Sequence, residues 1–294
     1  MDARTAPHIA SLRTFNRSFT RRTGVLDDSF LQSGRPFAVA RLLFEIGTDG
    51  ASVLELRNRL GLDSGYLSRL LRELERDHLV ASAPDPADGR RRLVRLTDAG
   101  RAAWADLDRR SDELAAGLID PLSERQRQRL DDALRSADRL LRAATATFDV
   151  VDPRDESALE AMNAYFAELA VRFSDGFDPG DTLEADAPAM RPPNGSFVVA
   201  RSDGAVVACG GVQRHDDITA EIKRMWVHPE WRGEGLGRRM LAQLETRITE
   251  LGYTHVVLDT NDTLTEAISM YEQAGYRSIE RYNDNPYARR WFTK

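Results

Sequence analysis

Cysteine is nearly missing from this chain of 294 residues: Cys209 is its one thiol. That excludes an intrachain disulfide and a cysteine-based zinc cluster. No apolar run approaches the ~18 residues of a membrane span, and residues 1–15 hold no apolar signal-peptide core, which predicts a soluble, cytoplasmic protein without a membrane partner. Internal repeats and low-complexity segments are absent too. Lysine is missing from residues 1–147, where 25 arginines face 22 acidic residues, net +3; residues 148–294 carry 16 basic and 25 acidic groups, net -9. The overall charge of -6 therefore describes neither half, and a basic half beside an acidic one is a weak pointer to nucleic acid.

What is present is an ordinary globular composition, 41% hydrophobic and 30% charged, so disordered and fibrous classes do not fit. At roughly 150 residues per domain the length predicts two domains. A helical pattern stops over residues 143–147 and an alternating apolar run, Phe148-Asp149-Val150-Val151, begins a strand. The expected domains are 1–147, mostly helical with one hairpin, and 148–294, where strands alternate with helices.

In the first half, residues 52–60 and 63–76 predict two helices around the turn Gly61-Leu62, with Asp63 or Ser64 as N-cap of the second. Leu67, Leu70, Leu71 and Leu74 share one face of that second helix, while Ser64, Tyr66, Ser68, Arg69 and Arg72 occupy the opposite one. Apolar inside and donors outside is the pattern of a DNA recognition helix, and also of any amphipathic surface helix. Residues 79–82 and 93–97 then predict a β-hairpin around Asp88-Gly89, its tip carrying Arg90, Arg91 and Arg92. A thin basic finger suits the minor groove beside a helix in the major groove.

Through GLDSGYLSRLLRELERDHLV and PDPADGRRRLVRLTDAGR, residues 5–145 resemble the MarR family of winged-helix transcription regulators. The resemblance implies a mostly α winged helix-turn-helix fold, with Asp88 and Arg90 fixing and inserting the wing tip beside Arg91. It also implies a homodimer on double-stranded, palindromic DNA, built from the terminal helices. Ile9, Leu12, Phe15 and Phe19 stripe the first helix and Leu130, Leu134, Ala137 and Leu141 the last, which Ser123 and Gln126 start as a capping box. These stripes fit a dimer interface or an intramolecular core. Oxidant sensing by a cysteine of this half is excluded.

In the second half, residues 220–245 read strand, loop, helix. Met240, Leu244, Ile248 and Leu251 keep helical spacing, so the loop's glycines sit at a helix N-terminus, a site for a pyrophosphate. The loop is neither a Rossmann fingerprint nor a P-loop. Arg232-Gly233-Glu234-Gly235-Leu236-Gly237 resembles the R/Q-x-x-G-x-G/A signature of the GNAT superfamily of N-acetyltransferases, and Ala267 to Tyr276 resembles its A-I-x-x-Y-x-x-x-G-F/Y segment. The resemblance covers about 148–294 and implies an α/β acyl-CoA N-acyltransferase fold with acetyl-CoA as cosubstrate. Arg232, Gly233, Gly235, Gly237 and Arg238 would hold its pyrophosphate, the backbone at Met225 to Val227 its pantetheine arm, and Asn261 a further contact. Tyr271 would be the general acid on the departing thiolate.

Strand alternation puts Glu221, Lys223, Met225 and Val227 on one face. Glu221, eleven residues before Arg232, stands at the spacing of the general-base glutamate in some GNAT members, so the resemblance makes it a candidate general base for an ammonium acceptor, with a structural carboxylate as the alternative. Cys209 reads as strand core, so direct transfer needs no acyl-cysteine. His215 and His228 have no companions at ligand spacing, so no metal is expected. A small-molecule amine is the expected acceptor, with Arg172, Arg289 and Arg290 as candidates for meeting a carboxylate. Three readings stay open: a regulator that is also an N-acetyltransferase, a regulator whose second domain only senses acetyl-CoA or an amine, and an enzyme that keeps its winged helix merely for dimerisation.

Overall fold

The computed structural model describes residues 5–85, 91–173, 176–178, 180 and 186–294. The chain forms two compact units, Met1–Asp131 and Asp132–Lys294.

Unit 1 is helical around a small sheet. Helix α1 spans Ala6–Arg22, and a 3-10 turn follows at Phe30–Gln32. Helix α2, Phe37–Ile46, starts at Pro36, whose fixed φ suits a helix entry, and buries Val39, Ala40, Leu42, Leu43 and Ile46. Strand β1 is Ala51–Ser52 and α3 is Val53–Leu60. A full capping box opens α3: Glu55 N–H donates to Ser52 Oγ at 3.2 Å and Ser52 N–H to Glu55 Oε2 at 2.8 Å. Gly61, at φ 62, ends it. Helix α4, Ser64–Arg76, is capped by Asp63 Oδ1, which accepts from Tyr66 N–H at 2.9 Å. Its Leu67, Leu70, Leu71 and Leu74 are buried, each burial stabilising by about 1.5–3 kcal/mol.

Strands β2, Val80–Pro84, and β3, Arg92–Leu96, pair antiparallel, and β1 adds to the far side of β3. Helix α5, Asp98–Ile119, is capped by Thr97 and starts pressed on β2's lead-in: a Cβ built on Gly100 would lie 1.8 Å from the Leu79 carbonyl oxygen. Helix α6 runs Glu124–Thr145. At its start Ser123 N–H and Oγ–H both donate to Gln126 Oε1 at 2.9 Å; Gln126 N–H turns to the Ser123 carbonyl rather than the hydroxyl, so the expected box is half made.

The division between the units falls inside α6, whereas the sequence seam at 147/148 lies just past its end. The reason lies in the helix's last turns. Arg139 reaches Glu234 at 3.1 Å, Arg142 reaches Asp203 at 2.8 Å, and the Arg239 guanidinium donates to the Ala143 and Ala146 carbonyls.

Unit 2 is a seven-stranded sheet with helices on both faces. Strands β4 (Thr147–Val151), β5 (Ser196–Ser202), β6 (Ala205–Arg214) and β7 (Thr219–Val227) form an antiparallel run. Helix α8, Leu236–Glu250, crosses over to β8, His255–Thr260, which lies parallel to β7. After α9, Thr265–Gln273, the edge strand β9, Arg277–Ser278, and then β10, Arg290–Thr293, complete the sheet. Helix α7, Glu156–Arg172, packs Ala161, Met162, Phe166 and Leu169 on Phe197, Val199, Cys209 and Trp226. The opposite face buries Val198, Ala200, Ala220 and Ile222 under Leu236, Met240 and Leu244.

Two irregularities open this sheet. The parallel pairing of β7 with β8 runs from Thr219↔His255 to Ile222↔Leu258, and β7 continues to Val227 beyond it. On the other edge Cys209↔Trp226 is followed by Gly211↔Lys223, so Arg224 and Met225 oppose the single Gly210; Arg224 takes φ 57. This β-bulge bends the strand and resets its alternation. The expected common face of Glu221, Lys223, Met225 and Val227 is therefore corrected. Met225 and Val227 join Ala220 and Ile222 on the α8 side, and Trp226 turns to the α7 side.

Among the described residues no helix is long and apolar enough to cross a membrane.

Candidate active site and candidate nucleic-acid interface

Where β7 and β8 part, unit 2 holds two clefts. The first, of ≈ 440 Å³, is lined by Val227, Arg232, Gly233, Gly235, Gly237 and Arg238, with Glu168 and Arg172 across from them. The second, of ≈ 620 Å³, is lined by Phe173, Phe177, Lys223, Arg224, Asp259 and Tyr287 among others. Tyr165, Met225 and Tyr271 line both.

Gly233 and Gly235 stand at φ 84 and 81, a region that a side chain resists, and a Cβ on either would meet nothing within 4 Å. Their backbone therefore faces open space. Gly237 plays a different part: its Cβ would come 3.2 Å from Met270 Sδ, so its smallness seats α8 against α9. The first turn-closing bond of α8 is Arg239 N–H to the Gly235 carbonyl, which leaves the preceding N–H groups without an intrahelical acceptor at the positive end of the helix dipole.

Arg232 buttresses this loop. Its Nε donates to the Val227 carbonyl at 3.0 Å and its guanidinium pairs with Glu168. Glu168 also accepts from Trp226 Nε1 at 2.9 Å and Arg172 at 3.1 Å. Burial pushes the Glu168 carboxyl up, but Arg232, Trp226 and Arg172 outweigh it and hold the group below its ordinary range. The more exposed Arg238 donates to Gln273 at 3.0 Å.

Tyr271 is 6% exposed, and its hydroxyl lies 3.8 Å from Met225 Sδ. Burial, then the neighbouring Tyr165 and Asp259, pushes that hydroxyl above the ordinary phenol range. It stays protonated through neutral pH.

Three sequence expectations are corrected by the geometry. Glu221 is 5% exposed and is absent from the linings of both clefts. It accepts from Gln213 at 2.7 Å, Tyr282 at 2.8 Å and Asn283 at 3.2 Å, and pairs with Lys223 at 3.0 Å. Three of these contacts fall on Oε1 and one on Oε2, and the group faces neither cleft, so it is built as a structural anchor rather than a base open to an acceptor. Asn261 lines the second cleft, not the first; it donates to the Tyr287 carbonyl at 2.7 Å and accepts from Thr263 N–H at 3.0 Å, clamping the C-terminal segment. Arg172 is committed to Glu168 and Glu266, Arg289 donates to the Pro286 and Ala288 carbonyls, and Arg290 is exposed on β10. None of these three arginines lines the second cleft.

Sequence reasoning missed the α7 side of the site. Tyr165, Glu168, Leu169 and Arg172 share one helix face by their i, i+3, i+4, i+7 spacing, a signal that was available. It also missed Arg224, whose position depends on the bulge.

Cys209 is fully buried; burial pushes its thiol up to about 12, and its Sγ–H donates to the Arg224 carbonyl at 3.4 Å. That is core chemistry rather than a nucleophile's. His215 stands edge-on to Tyr282, and His228 Nδ1 accepts from Glu230 N–H. Among the described residues no cluster of three His, Cys, Asp or Glu side chains is placed to hold a metal.

In unit 1, Ser64, Ser68, Arg69 and Arg72 are exposed on α4, opposite its leucines. Tyr66 is half-buried under the Arg69 guanidinium, 5.3 Å from its ring centroid. Ser68 Oγ–H donates to the Ser64 carbonyl at 2.7 Å and Arg72 Nε to that of Ser68 at 3.1 Å. Glu75 on α4 takes Arg92 at 3.4 Å and the Ser82 hydroxyl, which fixes the base of the hairpin to the helix. Arg91 is exposed beside it, and the expected tip residues Asp88 and Arg90 lie outside the described residues. On α1, Leu12, Phe15 and Phe19 are 51%, 55% and 46% exposed, and on α6 Leu130, Leu134 and Leu141 are 37%, 46% and 47% exposed.

A family model for the GNAT acetyltransferases matches residues 160–276, and one for the MarR family matches residues 33–91. An N-acetyltransferase of Schizosaccharomyces pombe is 37% identical over 97 residues, 32% of this chain and 60% of that protein. The N-acetyltransferase YjgM of Escherichia coli is 30% identical over 119 residues, 39% of this chain and 71% of that protein. The chain thus spans less than two thirds of the fission-yeast relative but more than two thirds of YjgM. A solved structure of a mutant MarR from Escherichia coli complexed with operator DNA is 23% identical, covers 47% of this chain and 99% of that chain, and superposes with a TM-score of 0.39. With a loop-and-tyrosine cleft in one unit and a helix-and-hairpin surface in the other, the chain belongs to the GNAT acetyltransferase family, and ahead of that domain it carries a winged helix-turn-helix segment that the MarR family model matches.

Proposed function

We propose that the protein is a regulator with its own enzyme: unit 2 transfers the acetyl group of acetyl-CoA to a small amine, and unit 1 binds a palindromic DNA site as a two-fold dimer. The observation that carries the enzyme reading is the meeting of two clefts at Met225 and Tyr271. One entrance serves the acyl donor, the other the acceptor.

The residues of the first cleft fit acetyl-CoA. The open backbone at Gly233 and Gly235, the unsatisfied first turn of α8 and the Arg238 side chain suit a pyrophosphate. The free edge of β7 from Lys223 to Val227 suits the amide-bearing arm, which would add to it as a strand adds to a sheet edge. Bound there, acetyl-CoA supplies an activated thioester carbonyl at the junction of the clefts. The chain's own part is positional and electrostatic. An N–H of the β7 edge near Met225 stands ready for a developing oxyanion, and Tyr271 keeps its proton at neutral pH, ready for a departing thiolate. Arg232 and Glu168 hold the loop, and Glu221 holds Lys223 and the C-terminal segment in place.

For unit 1, the exposed donors of α4 suit base edges and phosphates in a major groove, with the hairpin in the adjoining minor groove. The half-exposed apolar stripes of α1 and α6 suit a second copy of the chain, which would set two α4 helices about one DNA turn apart.

Thiol release from acetyl-CoA across an amine panel tests the enzyme reading: turnover with at least one small amine is expected. Coenzyme A binding without turnover for any amine would make the domain a sensor. In the same preparation, selection from random duplexes should return an inverted repeat; retention of unrelated sequences only would remove the regulator reading.

A further inference from the structure

The charged groups lining the second cleft are unequally committed. Asp259 accepts from Asn283 at 2.6 Å and Asn285 at 3.2 Å and lies 3.5 Å from Lys223, which itself is shared with Glu221 at 3.0 Å. Asp178 Oδ1 accepts from Gly180 N–H at 2.9 Å. Arg224 differs. Among the described residues its one carboxylate partner is Asp186, reached through Nη2, and the guanidinium lies over Phe166 at 5.0 Å from the ring centroid. A planar fork of five donors held by one carboxylate and one ring keeps donors in reserve for a second oxyanion.

The backbone goes out of its way to put that fork there. In an unbroken strand Arg224 would follow Ala220 and Ile222 to the α8 side; the bulge, with Arg224 at φ 57, turns it to Phe166 and into the second cleft. A non-glycine residue in this region is strained, and such strain points toward a function. Beside it stands an apolar aromatic wall: Phe177 and Tyr287 ring centroids are 4.8 Å apart, and Phe173 lies 5.7 Å from Phe177. The Tyr287 hydroxyl is tied to the Asp178 backbone, which leaves the ring's apolar surface to the cleft.

We infer that the acceptor is an α-amino acid with an aromatic side chain, its carboxylate taken by Arg224, its ring by Phe173, Phe177 and Tyr287, and its nitrogen set at Met225 and Tyr271. This rests on the N-acetyltransferase reading above and names its substrate class. In the transfer the ammonium first loses a proton to solvent. The nitrogen then bonds the acetyl carbon, the carbon–sulfur bond breaks with its electron pair going to sulfur, and the nitrogen's second proton leaves. Sulfur takes a proton from Tyr271, which is restored from solvent; the products are the N-acetylamino acid, coenzyme A and one net proton.

The test is calorimetric titration of the full chain, with coenzyme A present, by L-phenylalanine and by L-phenylalaninamide. The acid should bind about tenfold or more tightly than the amide, because only the carboxylate can take charge-assisted bonds from the fork. Equal binding, tighter binding of the amide or no binding of L-phenylalanine overturns the inference. In Arg224→Gln the preference should vanish through weaker acid binding alone; an equal loss for both ligands overturns the role of Arg224. The wild-type comparison stands even where that variant folds poorly. Thiol release separates the two readings: turnover of other amines without L-phenylalanine binding leaves N-acetyltransfer standing and overturns the substrate class. Selective L-phenylalanine binding without turnover of any amine does the reverse.

Discussion

The two proposed functional regions use their side chains in opposite states of commitment. On α4, Ser64, Ser68, Arg69 and Arg72 are exposed; Ser68 and Arg72 bond the helix's own carbonyls and Arg69 covers the Tyr66 ring, all local contacts. Such bonds are readily exchanged for bonds to a rigid external partner. In and behind the clefts of unit 2 most polar groups, Arg224 apart, are already spent on one another. Glu221 has four partners, Asp259 three, and Glu168 three, and Tyr271 is 6% exposed. A surface that meets a large charged polymer can leave its donors loose, because the partner supplies the order. A site for a small molecule must hold its reacting groups in place beforehand, and the network does that.

The comparison breaks most sharply at Tyr271. Replacing it by Phe keeps the buried ring and removes only the proton donor. Thiol release should fall by about 10²–10⁴-fold with little change in coenzyme A affinity, while DNA retention stays at the wild-type level. A drop of less than about threefold in thiol release would take the general-acid role from Tyr271. The next effect runs the other way. A Cβ at Gly100 would meet the Leu79 carbonyl oxygen at 1.8 Å, a backbone neighbour that cannot swing aside. Gly100→Ala should therefore cost about 1–3 kcal/mol in unit 1, read as an earlier thermal transition and lost DNA retention, with thiol release at 25 °C preserved. Equal losses in both activities would show that the units do not stand independently.

What could be read from the sequence follows from how each feature is encoded. The α4 surface is set by local periodicity and capping, and Asp63, Leu67, Leu70, Leu71 and Leu74 hold the places their spacing predicts. The glycine loop was equally legible, since Gly233 and Gly235 take the left-handed backbone that their residue type allows. Failures occurred where one residue changed the phase. The bulge at Arg224 has no glycine to announce it, yet it moves Met225 and Val227 off the face assigned to Glu221 and delivers Arg224 to the second cleft. Asn261 and Glu221 were misjudged for a related reason. Their partners Tyr287, Tyr282 and Asn283 lie in a C-terminal segment without regular structure, and its return across the sheet cannot be derived from spacing.

The smallest expected effect concerns how the loosely committed unit is held together. Glu55 is exposed, and bonds from the Ser52 backbone N–H first, and the Ser52 hydroxyl second, hold its carboxyl below the ordinary value of 4.5. A carboxyl depressed in the folded state stabilises fully above its unfolded value, and that contribution is lost as pH falls through the folded one. The bond from Ser52 N–H closes the capping box that starts α3, so Glu55→Gln should lower the unfolding midpoint of unit 1 slightly at pH 7, by about 0.5 kcal/mol or less because the group is solvent-screened. At a pH below its folded value the wild-type carboxyl approaches the neutral state of the amide, and the difference should shrink toward zero. Urea titrations of both proteins at the two pH values measure it. A gap that widened toward acid would mean that the charge at Glu55 opposes folding, and the capping account of α3 would then have to rest on Ser52 alone.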